Sequence, residues 1–174
     1  MSDSTHKVPI GKTIVIITQV ITTSDQLNQS LEDLLWYTQH DDLKRLVGLD
    51  VEKHYSSSIS STSSIEKVSA VMLCCGNYCL IIQLLHMDSN ASCYLSKFLQ
   101  LEGLTFVGVQ IQHCLKALDR DYGIKCRNAL DLDLATSGRS ERGEAKREAV
   151  IACIYLAVRP LFLYDILRAC ILAV

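Results

Sequence analysis

The chain alternates between short apolar runs and segments with helical spacing. Residues 13–21, Thr-Ile-Val-Ile-Ile-Thr-Gln-Val-Ile, are β-branched and apolar and predict a strand. Ser24 is a candidate cap for the next segment, where Leu27, Leu31, Leu34 and Leu35 fall on one helical face. Trp36 and Tyr37 are expected to pack as core near the end of that helix. Leu46-Val47-Gly48-Leu49-Asp50-Val51-Glu52 predicts a short buried strand carrying two carboxylates. Residues 55–64 are almost all serine and predict a flexible loop. Two strands over 65–75 and 78–85 are joined by a turn at Gly76-Asn77. A helix over 91–101 precedes a strand over Leu104–Gln110. Ile111, Leu115, Leu118 and Tyr122 mark a helix ending at Gly123, and Ala129–Leu134 is a last short strand. Strands with one helix, followed by alternating helix and strand, predict an α/β domain with a mixed sheet.

Composition narrows this reading. The chain has 174 residues, of which 49% are hydrophobic and 21% charged. A single domain that buries most of its unfolded surface is expected, and bulk disorder is excluded. Seventeen Lys and Arg stand against 19 Asp and Glu, a formal charge of −2, so the surface is not basic overall. A nucleic-acid partner would have to be attracted by a local basic strip or a metal ion.

Eight cysteines raise the question of a disulfide scaffold. No apolar segment follows a basic start in Met-Ser-Asp-Ser-Thr-His-Lys, so no signal peptide is expected. Free thiols in a reducing, cytoplasmic or nuclear setting are the expectation. Cys74, Cys75 and Cys79 cluster, which makes zinc the alternative. They lie among apolar neighbours with no second Cys/His pair at finger spacing, and so read as buried structural thiols.

Beyond residue 136 the pattern changes. Residues 137–147 are polar and charged, 149–158 are wholly apolar, and a second apolar stretch follows Arg159-Pro160. The uninterrupted run is about half of the roughly 20 residues a membrane span needs. Arg159, Asp165 and Arg168 break it, and Pro160 would kink or end a helix. No membrane anchor is expected. The division is a tail over 1–11, a domain over 12–158, and an apolar tail over 159–174 that is a candidate homo-oligomer interface.

Asp50 and Glu52 are the sharpest chemical signal. Residues i and i+2 of a strand share a face, so two carboxylates would stand side by side in apolar surroundings. Such a couple is costly to bury unpaired and suits a hard cation such as Mg²⁺ or Mn²⁺. Two solvated acids at a strand end are the alternative. His113 next to Cys114 does not make a nucleophilic pair, because neighbours on a helix face apart. His54 and His86 have no partner at ligand spacing. Arg139, Arg142, Lys146 and Arg147 alternate with Glu141, Glu144 and Glu148 and read as a solvated helix face.

Val47-Gly48-Leu49-Asp50-Val51-Glu52 resembles the first motif, Asp-x-Glu, of the DEDD 3′–5′ exonucleases. Further on come Thr105-Phe106-Val107-Gly108-Val109-Gln110-Ile111, Leu115-Lys116-Ala117-Leu118, Arg120-Asp121-Tyr122-Gly123 and Arg127-Asn128-Ala129-Leu130-Asp131-Leu132. Together they resemble the second-motif region of the Werner-syndrome-like exonucleases, the plant branch most of all. The resemblance covers roughly residues 10–136. It implies an RNase H-like (DnaQ-like) fold, a mixed β-sheet flanked by helices, shortened here at the C-terminus. It also implies metal-dependent phosphodiester hydrolysis from the 3′ ends of single-stranded RNA or DNA. Four acids would hold two divalent ions, Mg²⁺ or Mn²⁺, and Asp50 and Glu52 would supply the first pair.

The departures bear directly on activity. The position of the second-motif aspartate is Cys114. The third motif, Tyr-x-x-x-Asp, falls on Ile151 and Tyr155, and the helical segment before it is shortened. The aromatic residue that often follows Asp-x-Glu is Lys53. Asp119 and Asp121 lie further along the helix, and Asp165 and Glu148 are the nearby acids that could stand in. Lys116, Arg120, Lys125 and Arg127 would lie near the family's active-site side as nucleic-acid contacts. The expectation is an exonuclease-family protein with impaired hydrolysis. The alternative is a catalytically inactive relative that binds nucleic acid or oligomerises.

Overall fold

The computed structural model describes residues 5–10, 14–40, 45–56 and 65–132. Thr5–Ile10 forms strand β1 and Ile14–Ile21 forms β2. Helix α1 spans Ser24–His40, followed by the long strands β3 (Leu46–Ser56) and β4 (Ile65–Cys75) and the shorter β5 (Tyr78–Ile82). A 3-10 turn at Leu84–His86 leads to α2 (Ser89–Leu99). Then come β6 (Thr105–Gly108), α3 (Ile111–Tyr122) and β7 (Ala129–Asp131). All seven described strands form one mixed sheet in the order β1-β2-β5-β4-β3-β6-β7. β4 runs antiparallel to both β3 and β5, whereas β2 with β5, β3 with β6 and β6 with β7 pair in parallel.

Period-two alternation decides which side of the sheet is core. Ile21, Val47, Leu49, Val51, Val71, Leu73, Leu80 and Ile82 are buried together with Leu27, Leu31 and Leu34 of α1, Leu95 and Leu99 of α2, and Ile111 and Leu118 of α3. Each such side chain contributes on the order of 1.5–3 kcal/mol when removed from water. The intervening strand residues point the other way. There Val20, Met72 and Ile81 form a second small cluster, and Val107 and Leu132 a third.

Several expectations are corrected. The segment read as a tail carries β1, which pairs antiparallel with β2 from Thr5↔Gln19 to Ile10↔Ile14. β3 runs on to Ser56, four residues past the expected short strand, because β4 pairs with it along its length. The cap of α1 is Thr23, whose Oγ1 accepts from the Gln26 N–H at 3.4 Å. Ser24 lies inside the helix and donates to Asp88, the N-cap of α2, which also accepts from the Asn90 and Ala91 amides. Trp36 is 55% exposed. Successive helix residues point about 100° apart, so Tyr37 alone turns inward and stacks on Tyr78 at 4.6 Å. Of the three cysteines read as buried, Cys75 is so, whereas Cys74 and Cys79 are half-buried; Cys114 is buried, Cys126 half-buried and Cys93 exposed, and none of these six is in a disulfide. Cys153, Cys170 and the C-terminal tail lie outside the described residues.

Two backbone features set the turn from β6 into α3. A Cβ on Gly108 would meet the Leu49 carbonyl oxygen at 2.5 Å, so only glycine allows this close approach to β3. Gln110 then takes a left-handed conformation, φ 51 and ψ 35, without a side-chain cap. A side chain there costs energy that glycine does not. Gln110→Gly is expected to gain on the order of 0.5–1 kcal/mol. Gly108→Ala is expected to lose about 1–3 kcal/mol. Urea unfolding midpoints of the two variants would check both signs.

Candidate functional site

β3 has unlike neighbours on its two edges. β4 pairs with it from Gly48 to Ser56, but β6 pairs only with Leu46, Val47 and Gly48. Past Gly48 the pairing with β6 ends, and α3, which follows β6, packs against β3 and β4 in the main core.

Asp50 and Glu52 share that face. Their partners on β4 are Met72 and Ala70, and the register shift falls after Glu52, so the alternation between the two acids is intact. Asp50 is 7% exposed and Glu52 is half-buried. Asp50 Oδ1 accepts from the Val51 N–H at 2.7 Å and lies 3.6 Å from Cys114 Sγ. The thiol stands beside the first acid and is a weak hydrogen-bond donor to it.

The bulge beyond Glu52 anchors the far end of α3. Glu52 faces Ala70 and Lys53 faces Val68, which leaves Ser69 as the extra residue. Ser69 Oγ donates to the Glu52 carbonyl at 3.2 Å. The Val68 N–H donates to Asp121 Oδ2 at 2.8 Å, and its carbonyl accepts from Tyr122 Oη at 2.7 Å. Asp121 and Tyr122 thus satisfy both backbone groups of Val68. Asp119 is exposed.

Charges near this end are matched. Lys53 Nζ lies 2.6 Å from Glu66, and Arg120 lies 3.8 Å from the same oxygen and 2.6 Å from Asp121. The hydrogen bond with Glu66 raises the Lys53 ammonium above its usual range, and the same bond lowers the Glu66 carboxyl. Arg120 holds Asp121 below the ordinary carboxylate range, against the opposing effect of burial. Arg127 instead pairs with Glu102 at 2.7 Å, in the turn before β6. The four expected basic contacts therefore do not act as one group. Arg120 and Arg127 serve different acids, while Lys116 and Lys125 are exposed. The Lys53–Glu66–Arg120–Asp121 chain was not foreseen from the sequence. Its residues come from β3, β4 and α3, and no spacing signals it.

His54 and His113 are exposed. Ile151, Tyr155, Glu148 and Asp165 lie outside the described residues. Among the described residues, no three His, Cys, Asp or Glu side chains gather into a metal-holding group. None of the helices there is long and apolar enough to cross a membrane.

The family of 3′–5′ exonuclease domains matches residues 18–146. The chain belongs to this 3′–5′ exonuclease family. A curated relative is the protein RISC-interacting clearing 3′–5′ exoribonuclease 1 of Arabidopsis thaliana, 30% identical over 109 residues. That match takes in 63% of this chain and 51% of the relative, so the chain spans about half the length of the relative. Among solved structures, the EXD2 exonuclease domain is similar with a TM-score of 0.55 and 19% identity, over 69% of this chain and 59% of that one. RNase D of Trypanosoma brucei in complex with RNA U12 gives 0.51 and 17%, over 66% and 37%. At these identities the likeness shows the fold, the mixed sheet flanked by helices of RNase H-like exonucleases. EXD2 crystals were soaked in Mg and in Mn.

Within this exonuclease fold, the bulge contact has a pH signature. A lowered folded-state carboxyl stabilises above the unfolded value, near 3.9, and the benefit is lost as pH falls through the folded value. Asp121→Asn is expected to cost about 1–2 kcal/mol at pH 7. It should also flatten the fall in stability on acidification below about pH 4. Unfolding midpoints at pH 7, 4 and 3 would check both.

Proposed function

We propose that this protein is a degenerate member of the Werner-like branch of the family, engaging 3′ ends of single-stranded RNA with strongly impaired hydrolysis. One observation carries the reading: a thiol, Cys114 Sγ, stands 3.6 Å from Asp50 Oδ1, where an intact family site has a second aspartate. A divalent ion of the Mg²⁺ or Mn²⁺ type takes oxygen ligands. A neutral thiol offers neither the charge nor the hard donor atom. The carboxylates of Asp50 and Glu52 fit one side of such an ion, but the described residues do not complete a two-ion site.

The magnitude follows from the donor set. A bound ion is worth several kcal/mol of transition-state stabilisation. Losing about 4 kcal/mol of it slows hydrolysis roughly a thousandfold. Binding does not carry the same penalty, because contacts to sugar, phosphate and stacked bases dominate recognition of single strands. RNA rather than DNA is proposed because the relative in Arabidopsis is an exoribonuclease and the RNase D neighbour was crystallised with RNA. The motif wording over Thr105–Leu132 supports the Werner-like branch.

The test compares end-labelled single-stranded RNA and DNA in Mn²⁺. The native protein is expected to retain RNA while shortening it from the 3′ end roughly a thousandfold more slowly than an exonuclease with all four acids. Cys114→Asp should raise the rate by at least about tenfold, and Asp50→Asn should remove whatever remains. Shortening at the rate of an intact family member, or absence of strand binding in gel shifts, would overturn the proposal.

A further inference from the structure

Three free thiols cluster at the β4–β5 hairpin, and they are not equivalent. Cys75 is buried with the core on the helix side. Cys74 points to the opposite face and is the register partner of Cys79. The two-residue turn Gly76-Asn77, with Gly76 at φ 55, closes on the pair Cys75–Tyr78. Antiparallel pairs alternate between hydrogen-bonded and non-hydrogen-bonded. The pair next to the closing one, Cys74–Cys79, is the non-hydrogen-bonded kind, with Cα atoms about 4.5 Å apart and side chains on one face. That separation lies within the range of about 4.4–6.8 Å that a disulfide spans.

We propose that Cys74 and Cys79 form a cross-strand dithiol that a peroxide oxidises to an intramolecular disulfide, in preference to every other pair among the described cysteines. Both residues are half-buried. The hydrogen bond with Cys79 raises the Cys74 thiol well above its ordinary range, with burial and the charge of Asp50 adding to the effect. The competing thiols are placed differently. Cys114 is buried against Asp50, Cys126 turns its sulfur to the Asn128 carbonyl, and Cys93 is on α2.

The step balances with hydrogen peroxide as oxidant. One sulfur of the pair attacks a peroxide oxygen, the O–O bond breaks, and the departing hydroxide takes that thiol's proton and leaves as water. That sulfur is then a sulfenic acid. The second sulfur attacks it, the S–O bond breaks, and the second hydroxide takes the proton of the second thiol. Two thiols and one peroxide give one disulfide and two waters. Cross-strand bridges are strained, and strained disulfides are the readily reduced ones, so a dithiol reductant should reverse the bond.

The full-length protein is treated with hydrogen peroxide, then alkylated under denaturing conditions and weighed. The expected product lacks two alkylatable thiols, is about 2 Da lighter before reduction, and reverts with dithiothreitol. Cys75→Ala should retain this product, and its proteolytic peptides place the bond between positions 74 and 79. Cys74→Ser and Cys79→Ser should each abolish the bridge and leave the remaining sulfur as a sulfenic acid that dimedone captures. A bridge that uses any other cysteine overturns the proposal, as does loss of thiols without a bridge. Should the serine variants fail to fold, the mapped peptides of Cys75→Ala alone decide the outcome.

Discussion

The chemistry-bearing part of this molecule depends on the unequal edges of β3. One edge is paired with β4 over nearly its whole length, and the other is paired with β6 only as far as Gly48. The chain leaves the sheet there to enter α3, and Gly108 allows the close approach because its missing Cβ leaves room for the Leu49 carbonyl. Cys114 reaches Asp50 through this arrangement, although 64 residues separate them in the chain.

The far end of α3 is tied to β4 beside the bulge, where Asp121 and Tyr122 take up the Val68 amide and carbonyl. Unpaired buried backbone groups are costly, so β4 and the helix end stabilise each other. Asp121 is an acid in a family that uses acids for metal, but its lone pairs are committed to Val68 and Arg120.

Membership of the 3′–5′ exonuclease family and retention of its chemistry are separate matters here. The fold needs the apolar alternation, the glycine and the helix, all of which are present. Hard-metal hydrolysis needs oxygen donors converging on one point, and the side chain beside Asp50 on α3 is a thiol. Replacing an aspartate by a cysteine costs the fold little, because a thiol is a small hydrophobe that packs among apolar neighbours. It costs the metal chemistry much more, because charge and donor hardness are both lost.

The sequence by itself determined the strands and helices that have strong periodicity. α3 ends at Gly123 as read, since a left-handed C-cap favours glycine and the preceding apolar spacing is helical. The side-by-side placement of Asp50 and Glu52 was also legible, because strand alternation is a local property. The position of Cys114 was legible only through resemblance to a family, not through spacing. Local pattern failed where pairing partners decide. β1 lies in a segment that reads as a tail and becomes a strand by bonding to β2. β3 continues to Ser56 because β4 is there to meet it, and Trp36 is exposed because the direction of one turn of α1 depends on what it packs against. The tertiary structure alone decided the matching of Lys53, Glu66, Arg120 and Asp121, and the register that puts Cys74 opposite Cys79. Charge pairing and cross-strand contact depend on distances through space, which a list of residues in order does not contain.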